Sequence, residues 1–190
     1  MTDSRGRRRA GVRLALATFV CVSGISVAGL AGCASKQAEP VVGVSEKPGP
    51  SFPDNPVTYV FDTLDERPVS SAAHRGKPTV LTFVTTGDIV GQAQVDYLVA
   101  MAKNDGAKVN YALVAIHPRK EIVLVEAYMS ALKVEFPVAL GDRAVMSAQG
   151  PFGEISAVPT VVVLDREGKI VWKHTGLAKA DELRGHMRRL

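Results

Sequence analysis

From residue 57 onward, apolar positions fall into short β-rich runs and helical stripes separated by polar or glycine-containing breaks. Thr79, Val80, Leu81, Thr82, Phe83 and Val84 form a nearly unbroken apolar, β-branched run after Lys77 and Pro78, the pattern of a strand buried on both faces. Gly87 and Asp88 interrupt it, and a helix is predicted from about Val90 to Lys103, because Val95, Leu98, Val99 and Ala102 recur at i, i+3, i+4 and i+7. Asn104, Asp105 and Gly106 close that helix, with Gly106 suited to a positive φ. A second β-rich run covers Lys108 to Ile116, and a second helix covers Arg119 to Lys133, with Ile122, Val125, Met129 and Leu132 on one face. Strand, helix, strand and helix at this spacing imply parallel pairing through right-handed crossovers.

The flanks read differently. Before the central strand, Tyr59 to Leu64 and Val69-Ser70 bracket a polar turn and predict two short strands. After it come a short apolar segment, Phe136 to Leu140, and a short helix over Val145 to Gln149. Val158-Pro159 then opens a strand that runs to Leu164, and a turn at Asp165 to Gly168 leads to an antiparallel partner through Trp172. The final helix, Lys179 to Leu190, puts Leu183, Met187 and Leu190 on one face, although Gly185 weakens it by about 1 kcal/mol. Acidic residues at 181 and 182 and arginines at 188 and 189 match the helix dipole. No internal repeat is evident.

Composition allows one ordinary domain: 190 residues, 46% hydrophobic. The net charge of +4 sits in the first 32 residues, where five arginines face Asp3; the remainder balances at 18 basic and 18 acidic side chains. The basicity therefore belongs to a targeting segment and gives no support to nucleic-acid binding. That segment has an arginine-rich start, an apolar run from Leu14 to about Ala28, and the ending Leu30-Ala31-Gly32-Cys33. It resembles the signal peptide and lipobox of bacterial lipoproteins, which implies cleavage before Cys33 and acylation of that cysteine, with the lipid bilayer as a partner. A permanent membrane helix is the competing reading, but the run is short of the ~20 residues a span needs; an ordinary cleaved signal is the other. The three arginines at 7 to 9 are only a weak hint of twin-arginine export. Residues 33–56, rich in proline and glycine, read as a flexible tether, and the domain is expected over 57–190.

Three phrases give the domain a family likeness. They are Arg75-Gly76-Lys77-Pro78 before the central strand, Phe83 with Thr86 at its end, and Ala157-Val158-Pro159-Thr160 leading into the late strand pair. The chain thereby resembles the thioredoxin-like family, in particular its membrane-tethered thiol-disulfide oxidoreductases and redoxins. The resemblance implies an α/β thioredoxin-like fold with a central mixed sheet flanked by helices and an N-terminal β-hairpin extension. It also implies a cis bond before Pro159, facing the loop that follows the central strand. At that loop the family carries Trp-Cys-x-x-Cys, and here Gly87 takes the place of the tryptophan, Asp88 of the first cysteine and Gly91 of the second.

Cys21 and Cys33 are the two cysteines of the sequence; with the first in the signal and the second acylated, the mature chain is expected to offer no thiolate for redox work. No catalytic residue, metal site or cofactor is assigned. Asp88 reads as a helix N-cap. His74, His117, His174 and His186 are scattered without ligand spacing, although His117 could approach Asp88 if both sit at strand ends. The reading is a membrane-anchored, exported, redox-inactive lipoprotein that binds an envelope protein or peptide through Thr86, Val158 and Pro159. An oxidoreductase or peroxide enzyme using a partner's thiols is the alternative, and a purely structural lipoprotein a further one.

Overall fold

The computed structural model describes residues 52–190. The signal, Cys33 and the tether up to residue 51 lie outside the described residues. The elements are β1 (Val60–Thr63), β2 (Val69–Ser70), α1 (Ser71–His74), β3 (Thr79–Val84), α2 (Ile89–Asp105), β4 (Asn110–Ile116), α3 (Ile122–Leu132), β5 (Val138–Gly141), β6 (Thr160–Leu164), β7 (Ile170–Thr175) and α4 (Ala180–Met187). They build a seven-stranded mixed sheet in the order β2-β1-β5-β4-β3-β6-β7. Strands β3, β4 and β5 are parallel, whereas β1, β6 and β7 are antiparallel to their neighbours.

All six residues of β3 are buried, and they divide between two cores by strand alternation. Val80 and Val84 point to a face covered by α2, α3 and α4, together with Leu98, Met101, Val125, Tyr128 and Leu183. Leu81 and Phe83 point to the other face, which no long helix among the described residues covers. There the cover is Tyr59, Phe61, Phe152, Ile155 and the chain from Phe52 to Val57. Residues 52–56 were expected to belong to the tether but are docked on the domain. Phe52 packs on this second core, the Asp54 carboxylate pairs with Lys169 at 2.8 Å, and the Val57 N–H donates to the Gly168 carbonyl at 2.9 Å.

The helices keep the predicted places with shifted ends. Helix α2 starts at Ile89, under the Asp88 cap, and stops at Gly106, whose φ is +55°. The turn Arg119–Glu121 is 3-10 rather than α, so α3 is shorter than its apolar stripe suggested, and it ends on Lys133 in the left-handed region. The short helix expected over 145–149 is a 3-10 turn, Arg143–Met146, because the Asp142 carboxylate accepts the Val145 N–H at 3.2 Å and fixes the start two residues earlier. Helix α4 runs through Gly185 and ends at Met187. The small helix α1, capped by Ser70, had no apolar period by which to be read.

Below the sheet's N-terminal edge, α1 turns His74 inward, where its Nδ1 lies 2.8 Å from the Tyr59 hydroxyl. Burial pushes the tyrosine's pKa upward, so Tyr59 is the donor and Nδ1 the acceptor. Burial also lowers the His74 pKa from its ordinary 6.5. The unfolded chain therefore takes up a proton near that value before the folded chain does, and stability present above it declines as pH falls through the folded pKa. The expected result is a urea midpoint that drops between about pH 7.5 and about pH 5.5. His74→Gln should remove part of that drop, by at most ~1.4 kcal/mol per pH unit. An identical pH dependence in the variant would show that His74 does not contribute.

Candidate functional site

The carboxyl end of β3, the start of β6 and the N-termini of α2, α3 and α4 converge at one end of the sheet. The register explains this: Phe83 pairs with Thr160 and Thr160 with Thr175, so the residues just past Val84 and just before Thr160 are neighbours. The Val158-Pro159 peptide is cis, as the resemblance implied. Pro159 is buried and its carbonyl accepts the Gly176 N–H at 2.7 Å. Thr160 Oγ1 fixes the same turn by donating to the Ala157 carbonyl at 2.6 Å. The N–H and C=O of Val158 have no partner among the described residues.

Asp88 is the N-cap of α2. Its carboxylate accepts the Val90 N–H at 3.1 Å and the Gly91 N–H at 3.0 Å, an arrangement that stabilises a helix by about 1 kcal/mol. Each carboxylate oxygen thus accepts one backbone N–H. Gly91 is buried against it: a Cβ added there would lie 3.6 Å from the Asp88 Cβ. That separation is within the ~3.5–4.5 Å span of half-cystine Cβ atoms. The first turn of α2 is also apolar where it meets solvent, with Ile89 79% and Val90 44% exposed, and Leu177 on the adjoining loop is exposed as well.

Histidine 117 reaches Thr86 rather than Asp88. The Thr86 N–H donates to His117 Nε2 at 3.0 Å, and Thr86 Oγ1 lies 3.2 Å from the same nitrogen. Because Nε2 accepts, the ring proton resides on Nδ1, which donates to Glu121 Oε2 at 3.0 Å. This clamp joins three segments and was not foreseen beyond the proximity of His117 to the loop; a histidine just past a strand, followed four residues later by Glu121, is the only signal the sequence held. Under α2, Gln94 is fully buried, with its Oε1 accepting the Ala178 N–H at 2.7 Å and its Nε2 unpaired among the described residues. Tyr128 of α3 is likewise buried with an unpaired hydroxyl. Its pKa is pushed up to about 12 by desolvation first, then by Asp88 and Asp96.

The remaining histidines stay apart from this end's clamp. His74 serves the Tyr59 contact, while His174 and His186 stack on Trp172 at 5.3 and 4.8 Å between centroids. Among the described residues no group of three or more His, Cys, Asp or Glu could hold a metal ion. No described helix is long and apolar enough to cross a membrane.

No family model matches the chain, and no curated protein matches it in sequence. Solved structures do match in three dimensions. A DsbF homologue from Corynebacterium diphtheriae is 20% identical with a TM-score of 0.63, covering 76% of this chain and 96% of its own. A thiol:disulfide interchange protein of the thioredoxin family from Chlorobium tepidum TLS is also 20% identical at TM-score 0.63, over 74% and 97%. A secreted Mycobacterium tuberculosis disulfide oxidoreductase homologous to E. coli DsbE is 22% identical at TM-score 0.57, over 70% and 96%. Together with the mixed sheet, its helical face and the cis Val158-Pro159 bond, these likenesses establish the architecture: the described domain has the thioredoxin-like fold.

Proposed function

We propose that this protein is a membrane-anchored envelope lipoprotein, acylated at Cys33, whose thioredoxin-like domain docks an extended segment of another envelope protein without thiol chemistry. The observation that carries the reading is the backbone of Val158, unpartnered among the described residues, at the same end of the sheet as the exposed apolar side chains Ile89, Val90 and Leu177. A free N–H and C=O offer an incoming strand its hydrogen bonds, and the apolar rim offers its side chains a surface. Thr86 and Pro159 shape the two sides of that surface. Residues 52–190 contain no cysteine, so positions Gly87, Asp88 and Gly91 supply a cap and a close backbone approach in place of a thiolate.

The test is site-specific photocrosslinking in the native envelope from residue 89, with residue 167 in the β6–β7 turn as the control at the opposite end of the sheet. Crosslinks to a defined envelope protein from 89 and not from 167, lost on Val158→Asp in a variant with unchanged circular dichroism, support docking. Equal crosslinking from both positions, or capture unaffected by Val158→Asp, refutes it. A second reading, an oxidoreductase working with thiols of a partner, is favoured by the names of the structural neighbours and by the Asp88–Gly91 spacing. Insulin reduction above background by the purified wild-type chain would decide for that reading.

A further inference from the structure

We infer that the cleft between α1, the C-terminal half of α2 and the start of β4 is a second binding site, one for a zwitterionic dipeptide with an apolar side chain. It lies at the far end of the sheet from Val158: Asn110 pairs with Thr79 at the start of β3, whereas Phe83 near the end of that strand pairs with Thr160. Helix α1 is a single turn, α2 stops at Gly106 and β4 starts at Asn110. With the segments around Pro68 and Phe136 these ends surround about 500 Å³, within the range of small-molecule sites. Val99, Ala102, Val109 and Phe136 supply the apolar part of the wall, against which a hydrocarbon side chain is removed from water.

Two polar groups on the same wall are left over from the chain's own hydrogen bonds. His74 is 7% exposed, and its Nδ1 accepts from the Tyr59 hydroxyl, so the ring proton is on Nε2. That N–H has no partner among the described residues, yet it is not sealed from open space. Asn110 has the complementary surplus. Its Nδ2 donates to the His74 carbonyl at 2.9 Å and to Thr79 Oγ1 at 3.3 Å, which leaves Oδ1 without a partner among the described residues. A spare donor and a spare acceptor on two residues joined by a hydrogen bond suit a peptide group, whose C=O accepts from Nε2 and whose N–H donates to Oδ1. The charges on the rim sort in the same way. The Arg67 guanidinium is held by the Asp65 carboxylate and the Glu135 carbonyl, and Asp105 accepts from the Tyr111 hydroxyl. Lys103 and the Glu135 carboxylate remain, both exposed and neither ion-paired among the described residues. One cation and one carboxylate match the two ends of a zwitterion, with the ligand's carboxylate at Lys103 and its ammonium at Glu135. A ligand charged at one end would answer only one of them.

The probe is L-alanyl-L-leucine, added to the 15N-labelled full-length chain in detergent micelles and followed through the amide and imidazole signals. Saturable shifts of the His74 Nε2–H and the Asn110 side-chain amide are expected, with a Kd at or below about 1 mM, the scale for a ligand of this size. Two blocked peptides separate the contacts. N-acetyl-L-alanyl-L-leucine and L-alanyl-L-leucinamide should each bind about tenfold more weakly, the equivalent of one charge-assisted hydrogen bond. Lys103→Gln should weaken the free dipeptide by a similar factor without weakening the amide, and Glu135→Gln should weaken it without weakening the acetylated peptide. Asn110→Ala should weaken all three alike. Shifts that do not saturate, or that saturate only at residues outside the cleft, overturn the site. Equal affinity for the three peptides, or rim variants that weaken free and blocked peptides alike, overturn its match to a zwitterion. Should Asn110→Ala fail to fold, the two rim variants, both at exposed positions, still decide. The site is independent of the docking surface around Val158, and the crosslinking experiment reads that surface separately.

Discussion

A Phe152→Ala variant should lose about 3–5 kcal/mol of stability, a large share of what a domain of this size holds. Phe152 is 1% exposed, and its ring centroid lies 5.3 Å from Tyr59, 6.2 Å from Phe61 and 5.2 Å from Phe83. Those three rings belong to β1, its approach and β3, which are tied by sheet and hairpin hydrogen bonds. They cannot easily close on a hole, so most of the cavity term survives. Phe152 itself sits outside any strand, in the connection that carries Val158. Its carbonyl accepts from Lys173 Nζ at 3.1 Å, and otherwise packing holds it. Phe152→Leu should cost under about 1.5 kcal/mol, because most of the volume returns. Urea unfolding of both variants checks the pair. A loss below about 1 kcal/mol for Phe152→Ala would mean that the cluster collapses around the gap and that the aromatic cover of this face is softer than its packing suggests.

A double variant, Asp88→Cys with Gly91→Cys, should form an intramolecular disulfide and reduce insulin faster than the wild type. The basis is the 3.6 Å between the Asp88 Cβ and the position of a Cβ on Gly91, a separation at which a disulfide closes without backbone movement. A cysteine at position 88 would occupy a helix N-terminus, where the thiolate is favoured and the thiol pKa falls. Energetically, the change is nearly balanced. Loss of the Asp88 cap costs about 1 kcal/mol, while closing so short a loop restrains the unfolded chain by about 2 kcal/mol. The oxidised variant should therefore unfold near the wild-type midpoint and the reduced variant below it. Mass spectrometry would report the loss of two hydrogens on oxidation, and an insulin turbidity assay the activity. A dithiol that resists oxidation under mild oxidant would show that residues 88–91 do not have the geometry of a redox pair.

The parts of the fold legible in the sequence are those where one local rule dominates. The nearly unbroken run from Thr79 to Val84 read as a doubly buried strand, and all six residues are buried; the i, i+3, i+4, i+7 stripe of α2 marked its inner face. Asp88 sat where a cap was needed, and Asp165 to Gly168 formed the turn that its residues favour, with Gly168 at φ +85°. What stayed hidden depends on contacts far apart in sequence. The Thr86–His117 bond spans 31 residues and the Gln94–Ala178 bond spans 84; neither leaves a periodicity. The cover of the second face was equally hidden, because Phe52, Phe152 and Ile155 sit in irregular segments whose apolar residues look incidental. The closeness of Asp88 and Gly91 was read only as an alignment with a family motif, and it took the backbone of α2 to turn that alignment into a distance.

The docking of residues 52–57 on the β6–β7 turn has a mechanical consequence. The Val57–Gly168 bond and the Asp54–Lys169 pair make the attachment point of the leading chain coincide with the closed end of the β6–β7 hairpin. Thr160 and the cis bond lie at the open end, a strand's length of roughly 17 Å away. Any load carried by a leash to a membrane is therefore borne by the hairpin turn and the second face, and the surface around Val158 is out of the line of force. Under the proposed acylation of Cys33, the chain from Cys33 to Phe52 would reach at most about 70 Å at full extension, and that length would set the radius swept by the domain. Shortening the leash would change that radius and leave the surface itself unaltered.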